Sequence, residues 1–272
     1  MKCITEDLRR VFPRIFYWAD RFGFRLYLRM KRILLSLTVV VLAGLMQRAS
    51  AADVSGKVTL KGTPPPEKTI AFDDTCSKLH PTVATTRHYV VGQDNGLANV
   101  FVYISKGLEG KKFTPPTQGI EINQEGCNYQ PYVSGVMVGQ PVIIKNSDPL
   151  MHNIHAMPKA DGNTEFNFAQ PNQGDVNDSK WVSCIKSPEV LVKLKCDVHP
   201  WMFAYVGVQD HPFFAVTDKD GNFKIANVPA GKYTLTAYHL KAHGTKPGES
   251  QEITVADSPV TANFTVEVPA AQ

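Results

Sequence analysis

Four residues in two short segments could hold a metal. Cys196, His199 and Met202 lie in KCDVHPWM (195–202), spaced C-x2-H-x2-M, and His152 lies 44 residues upstream of Cys196 in KNSDPLMHNIHA (145–156). Two residues between successive ligands let one tight loop wrap an ion, and Pro200 stiffens its path. One thiolate, two imidazoles and a thioether make a soft, mixed donor set. Two His and one Cys with a weak axial Met are the signature of type 1 copper. Zinc would demand a fourth strong ligand, and a thioether is a poor one. The bland alternative makes Cys196 a buried or disulfide-bonded cysteine and the histidines ordinary. His155, an odd number of residues past His152 on the same extended run, should point away from the metal.

Such a loop needs rigid strands on both sides. LVKLKC (191–196) and AYVGV (204–208) supply them. Beyond residue 52 the chain shows short period-2 runs and no long helical period. These runs are VSGKVTL (54–60), ANVFVYI (98–104), VSGVMVG (133–139), PVIIKN (141–146), FFAVT (213–217), NFKIA (222–226), KYTLTAYH (232–239), QEITV (251–255) and ANFTVEV (262–268). The pattern predicts an all-β chain of sandwich type. VSGVMVG and PVIIKN read as a strand pair around Gly139, and Asp218-Lys219-Asp220-Gly221 as a hairpin turn. His152 reads as the end of a strand-and-loop segment.

The 272 residues carry a formal charge of +4, but residues 1–51 hold ten basic and three acidic groups. The remainder is therefore mildly acidic, which excludes a nucleic-acid face on the folded part. Residues 30–51 show a basic start, an apolar stretch at 33–46 and an Ala49-Ser50-Ala51 cleavage box, the anatomy of a signal peptide. At 14 residues the stretch is short for a membrane span. Residues 1–51 are set aside as leader, and the expected location is periplasmic or secreted, with no membrane span in the mature form. Cys76, Cys127, Cys184 and Cys196 then sit in an oxidising compartment. Cys76 could pair with Cys127, or Cys127 with Cys184, and Cys76 with His80 is a weak candidate for a second metal site.

The C-x2-H-x2-M loop, Cys196-Asp197-Val198-His199-Pro200-Trp201-Met202, together with Asn146 and His152-Asn153-Ile154-His155, resembles the cupredoxins, in particular amicyanin, over residues 118–209. The resemblance implies a Greek-key β-sandwich that binds one type 1 copper through His152, Cys196, His199 and Met202. It implies that Asn153 ties the two ligand segments together, and that Pro149, Met151, Pro200 and Trp201 form an apolar patch where redox proteins dock; Trp201 could instead be core. FAVTDKDGNFKIANVPAGKYTLTAYH (214–239), with VSGKVTLKGTPPP and LANVFVYI, resembles the carboxypeptidase regulatory-like, transthyretin-like β-sandwich. The expected layout is therefore a transthyretin-like sandwich made of 53–117 and 210–268, with a cupredoxin domain at 118–209 inserted in it or joined in tandem.

The expected function is single-electron transfer between redox proteins. All four coordination positions are filled by protein, which argues against an enzyme. Copper delivery, an envelope structural or carbohydrate-binding role, and an accessory role in a system such as amine oxidation are the alternatives.

Overall fold

The computed structural model describes residues 50–80, 83–177 and 179–270. The signal-peptide reading falls almost wholly outside them. At its far end Ser50 accepts from the Ala230 amide and Ala51 opens the first strand, paired with Pro229.

Two strands come first, β1 (Ala51–Lys61) and β2 (Phe101–Lys106). Nine follow: β3 (Ile120–Gln124), β4 (Tyr129–Gln130), β5 (Val133–Met137), β6 (Val142–Asn146), β7 (His152–Met157), β8 (Phe166–Gln170), β9 (Val176–Asn177), β10 (Glu189–Lys195) and β11 (Phe203–Gln209). The last group is β12 (Phe214–Val216), β13 (Asn222–Pro229), β14 (Gly231–Tyr238), β15 (Glu249–Val255), β16 (Val260–Thr261) and β17 (Phe264–Glu267). Among the described residues the α-helices are short: α1 (Cys76–Leu79), α2 (Ser179–Cys184) and α3 (Leu240–His243). Among the described residues no helix is long and apolar enough to cross a membrane.

The strands form four sheets. β1 pairs with β13, β16 and β17, and β12-β2-β14-β15 forms the sheet across from it. Between them lies a core that includes Val54, Val58, Ile104, Phe223, Ile225, Leu235 and Val266. The other two sheets are β5-β11-β10-β7-β8 and β4-β3-β6-β9. They enclose Ile122, Tyr129, Ile144, Ile154, Trp181, Val192, Leu194 and Val206. Period-2 patterning drives both: in β13 Phe223, Ile225 and Val228 turn inward while Asn222 and Lys224 face out. Each Val, Ile or Phe so buried contributes about 1.5–3 kcal/mol.

Phe101, fully buried, joins the two sandwiches in a small cluster with Val133, Leu191 and Tyr205. Its ring presses onto mid-strand glycines. A Cβ on Gly207 would stand 2.4 Å from the ring, and one on Gly135 2.9 Å from it. Glycine inside a strand here means close approach of a neighbour.

Three expectations need correction. β5 and β6 do not pair around Gly139: β5 lies parallel to β11 and β6 parallel to β3, in opposite sheets. The Asp218–Gly221 turn forms, with Asp218 Oδ1 accepting from the Asp220 and Asn222 amides. It leads from β12, paired with β2, to β13, paired with β1, so it is a corner between sheets and not a hairpin. His152 begins β7 instead of ending a strand, because its side chain and those of Ile154 and Ala156 continue one buried face.

Candidate metal centre

β10 and β11 are antiparallel, with Lys195 opposite Phe203, so the chain must reverse through Cys196–Met202. The Cys196 amide donates to the Met202 carbonyl (3.2 Å) and the Met202 amide to the His199 carbonyl (3.0 Å). This closure turns Cys196, His199 and Met202 inward, at 2%, 3% and 0% exposure, and leaves Asp197, Val198 and Pro200 outside. β7 lies along β10 with His155 opposite Lys195, so the start of β7 reaches the loop. His152 is fully buried there.

One donor atom each from His152, Cys196 and His199 lies within 4.8 Å of the others. The two Nδ1 atoms are 2.9 Å apart, and Cys196 Sγ is 3.7 Å from His199 Nδ1. Met202 is buried in the same core cluster as Cys196. Asn153 bridges the segments: its Oδ1 accepts from the Asp197 amide (2.7 Å) and lies 3.3 Å from Cys196 Sγ. Its Nδ2 donates to Asn167 and Asp197. Lys195 holds the Asp197 carboxyl well below the usual carboxylate range, and His155 and Asn167 assist. His155 is paired with Glu165 and Asp197, away from the donor atoms.

Asp148, which sequence reasoning passed over, anchors the centre. It is 3% exposed. It accepts from the Gly126 amide (2.7 Å), the Cys127 amide (2.8 Å) and His152 Nε2 (2.8 Å). With Nε2–H given to Asp148, His152 presents the Nδ1 lone pair inward. Burial works to raise the Asp148 pKa, but the His152 hydrogen bond and the two amides outweigh it and hold the carboxyl low. Burial likewise opposes the Cys196 thiolate, yet His152 and His199 bring its pKa down to about 6. His152 is raised: burial lowers it, and Asp148 and Cys196 more than offset that. Two imidazole nitrogens converging beside a ready thiolate suit a soft, redox-active cation, and the donor set fits copper.

Cys76 and Cys127 are disulfide-bonded across 51 residues, with Cα atoms 5.8 Å apart. Cys184 is a free thiol, half-buried in α2, so the Cys127–Cys184 pairing does not occur. His80 stacks on Phe72 and its Nε2 contacts the Gly126 carbonyl, which takes it away from a site with Cys76. The bridge lies against the centre: donor atoms of Cys76, Cys127 and His199 fall within 4.8 Å of one another, as do those of Cys127, Asp148 and His152. Asp73 Oδ2 is 3.7 Å from His199 Nε2. Phe72 meets Trp201 edge-on at 5.2 Å, and Trp201 Nε1 donates to the Cys127 carbonyl (3.2 Å). Of the expected docking patch, Pro149, Met151 and Pro200 are exposed. Trp201 is half-buried and engaged with this cover, so it is not a free member of that patch.

The class suggested by fold and donors is a β-sandwich protein with a soft-metal centre. The carboxypeptidase regulatory-like domain family matches residues 200–267, which run from the loop after β10 through β11 to β17. Among solved structures the chain is similar to the Cu-containing nitrite reductase (NirK) from Thermus scotoductus SA-01, with 19% identity over 36% of this chain and TM-score 0.29. It spans only 24% of that reductase's length. It is also similar to a mutant of amicyanin in the Cu(I) form (17% identity, 40% of this chain and 98% of that one, TM-score 0.28). A third is a purple cupredoxin from Nitrosopumilus maritimus (22% identity, 40% and 97%, TM-score 0.25). A comparison with curated proteins finds no match.

Proposed function

We propose that this chain is an exported electron carrier that holds one type 1 copper with His152, Cys196, His199 and Met202. The observation that carries the reading is the convergence of His152 Nδ1, His199 Nδ1 and Cys196 Sγ in one buried place. Bound copper would supply a one-electron couple. The protein's part is to keep the donors still: Asp148 fixes the His152 ring, Asn153 fixes Asp197 beside Cys196, and backbone bonds close the loop. A cage that does not rearrange keeps reorganisation small on electron transfer. The donors are buried and all come from protein, which favours a carrier over an enzyme. Its partners are redox proteins, its location is the periplasm or exterior, and the 118–209 segment acts as a domain inserted between 53–117 and 210–268.

The test is to export the full chain, load it with Cu(II) and record its absorption. An intense thiolate-to-copper band, bleached and restored by reductant and oxidant, is expected. Cys196→Ser should remove the band and keep the far-ultraviolet dichroism. A colourless wild-type protein carrying stoichiometric Cu(II) refutes the proposal. Copper storage or delivery is the second reading. It is favoured by the cover of Asp73 and the disulfide over His199, which is 3% exposed. It predicts exchangeable copper without reversible bleaching.

A further inference from the structure

We propose that Cys76 and Cys127, when their bridge is opened, form with His199 a second soft-metal site that takes Cu(I). This goes beyond the electron-carrier reading and does not rest on it. Three observations carry it. The donor atoms of Cys76, Cys127 and His199 already lie within 4.8 Å of one another, and all three residues are buried. Asp73 ties the set to the Nε2 edge of His199: its Oδ1 accepts from the Cys76 amide (2.7 Å) while Oδ2 lies 3.7 Å from Nε2. The Nδ1 edge faces Cys196 and His152.

The third observation is that both cysteines are held in place by contacts other than their shared bond. Asp148 accepts from the Cys127 amide, and Trp201 donates to the Cys127 carbonyl. Phe72 packs on Trp201 and His80, and His80 reaches the Gly126 carbonyl. Opening the bridge therefore leaves two buried thiols next to an imidazole. Two thiolates and one imidazole make a soft, low-coordinate set of the kind Cu(I) prefers.

The redox step balances with an external dithiol as reductant. Its two S–H bonds are exchanged for one S–S bond, the Cys76–Cys127 bond breaks, and both cysteines become thiols. Binding of Cu(I) then releases the two thiol protons to solvent. The site exists only in the reduced chain, so metal capacity beside the first centre follows the thiol poise of the surroundings.

The experiment uses the full chain carrying Cys3→Ser, Cys184→Ser and Cys196→Ser, which leaves the bridge cysteines as the only thiols. The protein is refolded with and without dithiothreitol, freed of it anaerobically, checked by thiol count and circular dichroism, and titrated with Cu(I) against a chromophoric Cu(I) chelator. The open form should bind one equivalent and the closed form none. Adding His199→Ala should weaken binding by about 10–100-fold or more, since loss of even an outer partner costs that much. Equal binding by open and closed forms, no binding by the open form, or an open chain that does not fold would each overturn the proposal. So would an equivalent that survives Cys76→Ser with Cys127→Ser, or preference for Zn(II) over Cu(I). None of these outcomes bears on the colour of the oxidised wild-type protein, so the two proposals fail separately.

Discussion

Asp148→Asn should destabilise the metal-free, disulfide-closed chain by about 3 kcal/mol near neutral pH. The side chain keeps its volume, so no cavity opens and the whole effect is electrostatic. Asp148 serves three donors at once: Oδ1 takes the Gly126 amide, and Oδ2 takes the Cys127 amide and His152 Nε2. The asparagine oxygen can cover one of those positions. Its NH2 group then faces an N–H at the other, and at least one buried donor is orphaned, at about 1–3 kcal/mol. The remaining bonds lose their charge assistance, about 1 kcal/mol each. The sum reaches the low end of the 3–5 kcal/mol typical of breaking a buried ion pair.

Urea unfolding followed by tryptophan fluorescence reads this sandwich, because Trp181 and Trp201 both pack in or against its core. The midpoint should fall with the slope unchanged. The pH dependence gives a second check. The Asp148 carboxyl titrates below 3.8 in the folded chain, so its contribution is complete above 3.8 and vanishes as pH falls through the folded value. His152 titrates above 6.5, so the stability gained by its charged form is complete below 6.5 and fades as pH rises through the folded value. Wild type should show that alkaline decline and the variant should show much less of it. A loss under about 1 kcal/mol, with parallel pH profiles, would refute the anchoring role of Asp148.

Two further outcomes follow from the same geometry. In the metal-free protein the ultraviolet thiolate absorbance of Cys196 should titrate at about 6, not at the ordinary 9.0, and a midpoint near 9.0 would show that His152 and His199 do not support the thiolate. Gly207→Ala puts a Cβ 2.4 Å from the Phe101 ring and should cost about 1–3 kcal/mol by calorimetry, part of it regained by adding Phe101→Leu; an unshifted transition would mean that the ring does not rest there.

Strand existence was legible in the sequence wherever one face is core and the other solvent. Phe223 and Ile225 of β13 and Ile253 and Val255 of β15 are buried between exposed neighbours, as the alternation requires. Strand partnership was not legible. The short links at Gly139 and at Asp218–Gly221 have turn chemistry that suits a hairpin as well as a corner, and which one forms depends on sheets assembled from residues far away. β3 and β8 escaped notice because IEINQ and FNFAQ carry polar residues that serve the interior: Gln124 and Gln170 are buried and bond to each other at 2.6 Å. Nothing local marked the mid-strand glycines 135 and 207, because the ring they admit comes from Phe101 in the other sandwich.

The same division runs through the candidate centre. C-x2-H-x2-M and an upstream His are local patterns, and the reversal between β10 and β11 is enough to bring Cys196, His199 and Met202 together. Asn153 could be reached from resemblance because it adjoins His152. Asp148 had no such signal. An Asp-Pro pair four residues before a histidine is ordinary loop chemistry, and it becomes an anchor only when Gly126 and Cys127 present their amides to it. The cover is further removed still, since Phe72, Asp73 and Cys76 belong to the long link between β1 and β2, the two leading strands of the other sandwich. That link is fastened to the Cys127 side of the centre by the bridge, by His80 and by Trp201. A ring that the loop pattern alone would leave facing solvent therefore ends beneath a disulfide. Access to His199 is governed by residues more than a hundred positions upstream: Asp73, whose Oδ2 lies 3.7 Å from its Nε2, and Cys76, whose sulfur lies beside it in the bridge.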